Sequence, residues 1–137
     1  MAAMGMDLVG EAGATFRATG SGWAYYLNLA QEYGWKPAGT RRPRGLISMF
    51  RRWPGHYDSN DGQRVSKQDA AAMATALESA LADPGRETRG AALAERLTQA
   101  VRDATGDASY TMRVDGDDSA FIQTLIVFLR SGGFEIL

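Results

Sequence analysis

Six cations fall between Lys36 and Arg52, and no acidic residue occurs from Tyr33 to Tyr57. They are Lys36, Arg41, Arg42, Arg44, Arg51 and Arg52. The chain of 137 residues has a formal net charge of −1, so this +6 is a local property. Trp35, Phe50, Trp53 and Tyr57 are interleaved with the cations. Guanidinium groups beside aromatic rings suit phosphate backbones and unpaired bases. They equally suit a protein interface, where Trp, Tyr and Arg are the usual anchors. The third alternative is a structured loop whose aromatics close the core while the guanidiniums stay in water. Arg outnumbers Lys 13 to 2 over the whole chain, so part of the local Arg content is chain-wide. A near-neutral total argues against a dedicated nucleic-acid binder. The expected contact residues are Trp35, Arg51, Arg52, Trp53 and Tyr57, with Asn60 and Asp61 on the turn that follows.

Other residues of chemical interest are sparse. No Cys is present, which excludes a disulfide scaffold, thiolate zinc sites and a Cys nucleophile. His56 is the single imidazole, so no site is built on two. Asp58 and Ser59 lie close to it, but a nucleophilic triad usually draws its members from separated segments. Asp58-Ser-Asn-Asp-Gly62 resembles a calcium loop only in part. Counted from Asp58, Asn60 fits position 3, but Gly62 falls at 5, where a ligand belongs, and Asp69 at 12 replaces the bidentate Glu. Asp103, Asp107, Asp115, Asp117 and Asp118 form an acidic counterpart to the basic segment. They suit helix caps and turns, a cation, or the basic segment of a second copy. No catalytic residue, metal ligand or cofactor is expected.

These residues need elements to hold them. Met6–Val9 is an apolar stretch of strand length, and 10–20 reads as loop. Ser21 is placed to cap a helix bearing Trp23, Tyr26, Leu27 and Ala30. Gly34 is placed to end that helix in a left-handed turn. Leu46–Trp53 allows one or two helical turns between prolines. Ser66-Lys-Gln-Asp69 predicts a capping-box start, with Asp69 reaching back. Met73, Ala76, Leu77, Ala80 and Leu81 then form an Ala-rich stripe that predicts close approach to another helix. A third helix carries Leu93, Leu97, Ala100, Val101 and Ala104 and stops near Gly106. Tyr110, Met112 and Val114 alternate with polar residues and predict a half-buried strand. Asp118 or Ser119 caps a last helix over 120–130, apolar around much of its girth and therefore central. Phe134–Leu137 predicts a short terminal strand.

Several short pieces together resemble a family of small, uncharacterised bacterial proteins. They are Met4-Gly-Met-Asp7, Tyr33-Gly-Trp-Lys-Pro-Ala-Gly-Thr40, Tyr57-Asp-Ser-Asn-Asp-Gly-Gln-Arg-Val65 with Asp69-Ala70, and Phe128-Leu-Arg-Ser-Gly-Gly-Phe-Glu-Ile136. The Asn-Asp-Gly-Gln element and the helix after it are the most specific. The resemblance implies a domain of unknown function and transfers no catalytic residue. The residues before Met4 and the insert from Arg41 to Arg52 carry no part of the resemblance.

The expected architecture is α+β: a mostly helical single domain over residues 1–137, with about four helices and a few short strands. Residues 1–5 are expected as a disordered N-terminus. The start lacks a charged n-region and an apolar h-region, and no apolar run is long enough to span a bilayer. The expectation is a cytoplasmic, non-catalytic binding or regulatory module, immunity-like, that meets a protein partner or a second copy and no membrane. Nucleic-acid binding through residues 35–57 and a carboxylate-dependent enzyme are the alternatives.

Overall fold

The computed structural model describes residues 5–45, 52–112 and 117–137. Within them lie β1 (Gly5–Gly10), β2 (Thr15–Thr19), α1 (Gly20–Glu32), β3 (Gln63–Val65), α2 (Lys67–Ala82), α3 (Arg86–Thr105), α4 (Ser119–Arg130) and β4 (Phe134–Ile136). The expected α+β class holds. Among the described residues, no helix is long and apolar enough to cross a membrane.

The four strands make one antiparallel sheet in the order β2-β1-β4-β3. The last strand of the chain therefore lies inside the sheet. It pairs Leu8 with Ile136 on one side and Val65 with Phe134 on the other. Met6, Leu8, Phe16, Ala18, Val65, Phe134 and Ile136 are buried, and Asp7, Thr15, Arg17 and Thr19 are exposed. That alternation is what a sheet covered on one face requires. Phe16 meets Phe121 and Phe128 of α4 at ring separations of 5.3 and 5.7 Å.

β2 corrects the expectation of a loop over 10–20. Phe16 and Ala18 point inward between β-branched Thr15 and Thr19, and Gly13 at φ 88° closes the turn from β1. The N-cap of α1 is consequently Thr19, whose Oγ1 accepts from Gly22 N at 3.0 Å, and not Ser21. Gly5, expected with the disordered start, opens β1 opposite Thr19, and its carbonyl accepts from Asn60 Nδ2 at 3.1 Å.

The Ala-rich stripe of α2 packs on α4, as its small side chains suggest. Leu77 and Ala80 of the stripe, with Ile122 and Leu125 of α4, are fully buried. The strand expected around Tyr110–Val114 is absent from Tyr110–Met112. α3 side chains take the polar groups of that segment instead. Met112 N donates to Thr98 Oγ1 at 3.0 Å, and Arg102 donates to the Tyr110 carbonyl at 2.7 Å. Val114 lies outside the described residues. So does most of the helical turn expected over Leu46–Trp53, whose described end, Arg52–Trp53, is irregular.

Candidate functional site

The basic segment is held by one buried carboxylate. Gly34 at φ 102° turns the chain out of α1, and Trp35 N then bonds the Ala30 carbonyl at 2.9 Å. This sends the Trp35 ring inward, toward the start of α2. There Ser66 Oγ accepts from Asp69 N at 3.1 Å and fixes the first turn. The Asp69 carboxylate does not complete a capping box. It is 4% exposed, and its Oδ1 accepts from Trp35 Nε1 at 3.0 Å and Ala38 N at 3.2 Å. Its Oδ2 accepts from the Tyr57 hydroxyl. Three donors and the positive end of a helix together suit a buried carboxylate. Tyr57 Oη in turn accepts from Gly39 N at 2.9 Å, and the Tyr57 carbonyl accepts from Trp23 Nε1 at 2.8 Å. Burial first, and then the hydrogen bond to Asp69, push the Tyr57 pKa up, so the phenol remains a donor at neutral pH.

Thr40 is the second fastening. Its Oγ1 donates to the His56 carbonyl at 2.7 Å and accepts from Trp53 Nε1 at 3.0 Å. Its amide bonds the Gly55 carbonyl at 3.0 Å. Gly39 and Gly55 both have positive φ, and a Cβ on Gly55 would lie 3.4 Å from Gly39 Cα. The next residue, Arg41, bridges Arg64 of β3 through two backbone bonds of 2.8 and 3.1 Å, which extends the sheet by one rung. The backbone of 38–41 is thus fixed, while Lys36, Arg41, Arg44 and Arg52 are exposed. Arg44 lies 3.7 Å from Glu135, a solvated pair of small energetic weight.

The turn after Tyr57 is organised by Gln63, which is fully buried. Its Nε2 donates to the Ser59 carbonyl at 2.7 Å, and its Oε1 accepts from Asp61 N at 3.0 Å. His56 packs on Trp53 with ring centroids 4.5 Å apart. Its Nε2 lies 2.7 Å from Ser59 Oγ, which donates to Asp61 Oδ2 at 2.6 Å. A hydroxyl has one proton, so with that proton on Asp61 the imidazole supplies the Nε2 hydrogen. In a nucleophilic triad the imidazole accepts from Ser and the carboxylate holds the other ring nitrogen. Here the polarity is reversed, and the cluster works as a turn lock. Asn60 Oδ1 is buried with no hydrogen-bond partner among the described residues. Among the described residues, no group of three His, Asp or Glu is placed to hold a metal ion.

The seven expected contact residues therefore separate. Trp35 and Tyr57 are buried and anchor the segment. Arg52 and Asp61 are exposed, Trp53 and Asn60 are half-buried, and Arg51 lies outside the described residues. Reasoning from sequence missed Asp69 as the hub, and Thr40 with it. The one available signal was an Asp where a capping box prefers Glu, three residues after Ser66.

The acidic residues also separate. Asp103 accepts from Gln99, and Asp118 is buried against Arg86 and Tyr26. Asp107 and Asp117 lock turns, and Asp115 lies outside the described residues. The Ser109 hydroxyl and amide hold the Asp107 carboxyl below its usual range, and the Ser119 amide and hydroxyl do the same for Asp117. Asp83 is lowered by the Tyr33 hydroxyl and the Gly85 amide. A carboxyl with a lowered folded pKa stabilises the fold above its unfolded value of about 4, and this is lost as pH falls through the folded value. The urea midpoint is therefore expected to fall between pH 5 and pH 3. A triple Asp83→Asn/Asp107→Asn/Asp117→Asn variant should fall less steeply. Equal slopes for variant and wild type would refute this assignment.

Comparison of the chain with protein-family models, curated proteins and solved structures gives no match.

Proposed function

We propose that this chain is a small non-catalytic protein-binding module of the bacterial cytoplasm, immunity- or regulator-like, that presents residues 35–57 to an acidic protein surface. The observation that carries this reading is the Asp69 hub. It fastens both ends of the segment to the body through buried Trp35 and Tyr57, and the exposed cation Arg41 lies on backbone that is fixed from 38 to 41. Backbone fixed in advance, as at 38–41, loses less conformational entropy on binding than free backbone. Clustered positive charge accelerates encounter with an acidic partner and rejects basic ones. The same reading takes the chain as a relative of the small bacterial family that its motifs resemble.

Burial of Trp35 and Tyr57 weakens the nucleic-acid alternative, because it removes two of the rings on which bases would stack. The reversed polarity of His56, Ser59 and Asp61 gives no support to an enzyme. The test is a pull-down from the native host with wild type and an Arg51→Glu/Arg52→Glu variant. The variant is expected to lose a defined partner. Identical partners for both would count against the proposal. Retention on RNA at low salt, lost steeply between about 50 and 200 mM, would replace the protein partner by nucleic acid.

A further inference from the structure

A cleft of about 950 Å3 lies between α3 and the residues leading into α4, and Tyr25 of α1 is part of its lining. Its size falls in the range of small-molecule sites. The wall formed by α3 is cut low by Gly90, Ala91 and Ala94. At Gly90 a Cβ would sit 2.5 Å from Tyr25 Oη, so a side chain there would have to displace the end of that ring.

Tyr25 is 3% exposed, yet among the described residues its hydroxyl makes no hydrogen bond. The hydroxyl is not sealed in the core but opens to the cleft, where water or a ligand can supply its partner. Burial and the charge of Asp118 push its pKa up to about 12, so the group meets any ligand as a neutral phenol.

Among the described residues, the charges lining the cleft do not cancel. Arg86 and Asp118 neutralise each other, and Arg96 is paired with Glu32 outside the cleft. Arg102 gives donors to the Tyr110 carbonyl and Thr111 Oγ1. Glu87, Glu95 and Asp117 form no ion pair among the described residues. Among the described residues of the lining, Glu87, Glu95 and Asp117 thus stand against the single guanidinium of Arg102, around small apolar side chains.

We propose that this cleft binds a small organic cation, an ammonium or guanidinium on an apolar body, with the Tyr25 hydroxyl accepting a hydrogen bond from it. The body lies along Gly90, Ala91 and Ala94, and Glu87, Glu95 and Asp117 supply the attracting field. This site is separate from the Arg-rich segment, and either can fail without the other.

The test is calorimetric titration of the full chain with phenethylamine and agmatine, beside 2-phenylethanol and phenylacetate as neutral and anionic counterparts. The amines are expected to bind at least about tenfold tighter than the alcohol or the acid. Tyr25→Phe should keep the melting temperature, because the fold does not use that hydroxyl, and weaken amine binding about fivefold or more. A Glu87→Gln/Glu95→Gln/Asp117→Asn variant should bring amine affinity down to that of the alcohol. Equal affinity for amine and alcohol, or no amine binding at millimolar concentration, would overturn the proposal. So would a Tyr25→Phe variant that binds fully, or one that melts several degrees lower.

Discussion

Asp69→Ala is expected to remove on the order of 3–5 kcal/mol of stability, the largest effect of any single change near the basic segment. The substitution strands three donors at once: Trp35 Nε1, Ala38 N and the Tyr57 hydroxyl. Each is buried or half-buried, and an unpaired donor there costs about 1–3 kcal/mol. Asp69→Asn should cost less, about 1–2 kcal/mol. Its amide oxygen still accepts from Trp35 and Ala38, and only the arm facing Tyr57 becomes a donor. Urea denaturation of the pair separates these values, and equal losses would show that charge, not donor count, governs the site. Loosening the hub also frees the segment that carries Arg41 and Arg52. Partner binding should therefore weaken in Asp69→Asn although no surface charge has changed. Full binding by a folded Asp69→Asn protein would sever the link between the anchor and the proposed function.

The second large effect is expected at Asp118, 5% exposed at the entry to α4. Its carboxylate takes Arg86 Nη1 and, at 2.9 Å, the Tyr26 hydroxyl, while Arg86 Nη2 reaches Ser119 Oγ at 2.9 Å. The ion pair joins the start of α3 to the start of α4, and Tyr26 adds α1. Asp118→Ala leaves a nearly buried guanidinium without its counter-charge, which costs about 3–5 kcal/mol. Replacing the whole cluster, as Tyr26→Phe/Arg86→Met/Asp118→Leu, should recover most of that loss. An apolar set of similar volume demands no desolvation of charge. A triple variant as unstable as Asp118→Ala would show that the cluster contributes net stability, rather than merely punishing its own disruption.

Asp118 also shows how far local patterns reach. Its position before an apolar run marks it as an N-cap, and it does precede α4. Its side chain makes no cap bond, because Arg86 and Tyr26, 32 and 92 residues away, compete for the same oxygens. Asp69 behaves in the same way. A capping box is a contest among donors within four residues, and donors from elsewhere won it. The types of Trp35 and Tyr57 allowed two readings, contact residues or rings that close the core, and did not choose between them. Whether a ring faces solvent or core depends on which distant group it meets. β2 was missed for a different reason: five residues of Thr, Phe, Arg and Ala beside glycines carry a weak period-2 signal. Pairing with β1 decided it.

The sequence alone determined the class of the fold, the helices and several of their ends. Ser66, Gly34 and Gly106 act through hydrogen bonds and backbone angles within a few residues, so their types suffice. It also determined that the positive charge is concentrated between Lys36 and Arg52. Only the tertiary structure decided the strand order with β4 inside the sheet, the burial of Trp35 and Tyr57 on Asp69, and the cleft under Gly90. Each of these depends on contacts between residues far apart in the chain. Periodicity carries no information about which distant partners a side chain will meet once the chain has closed.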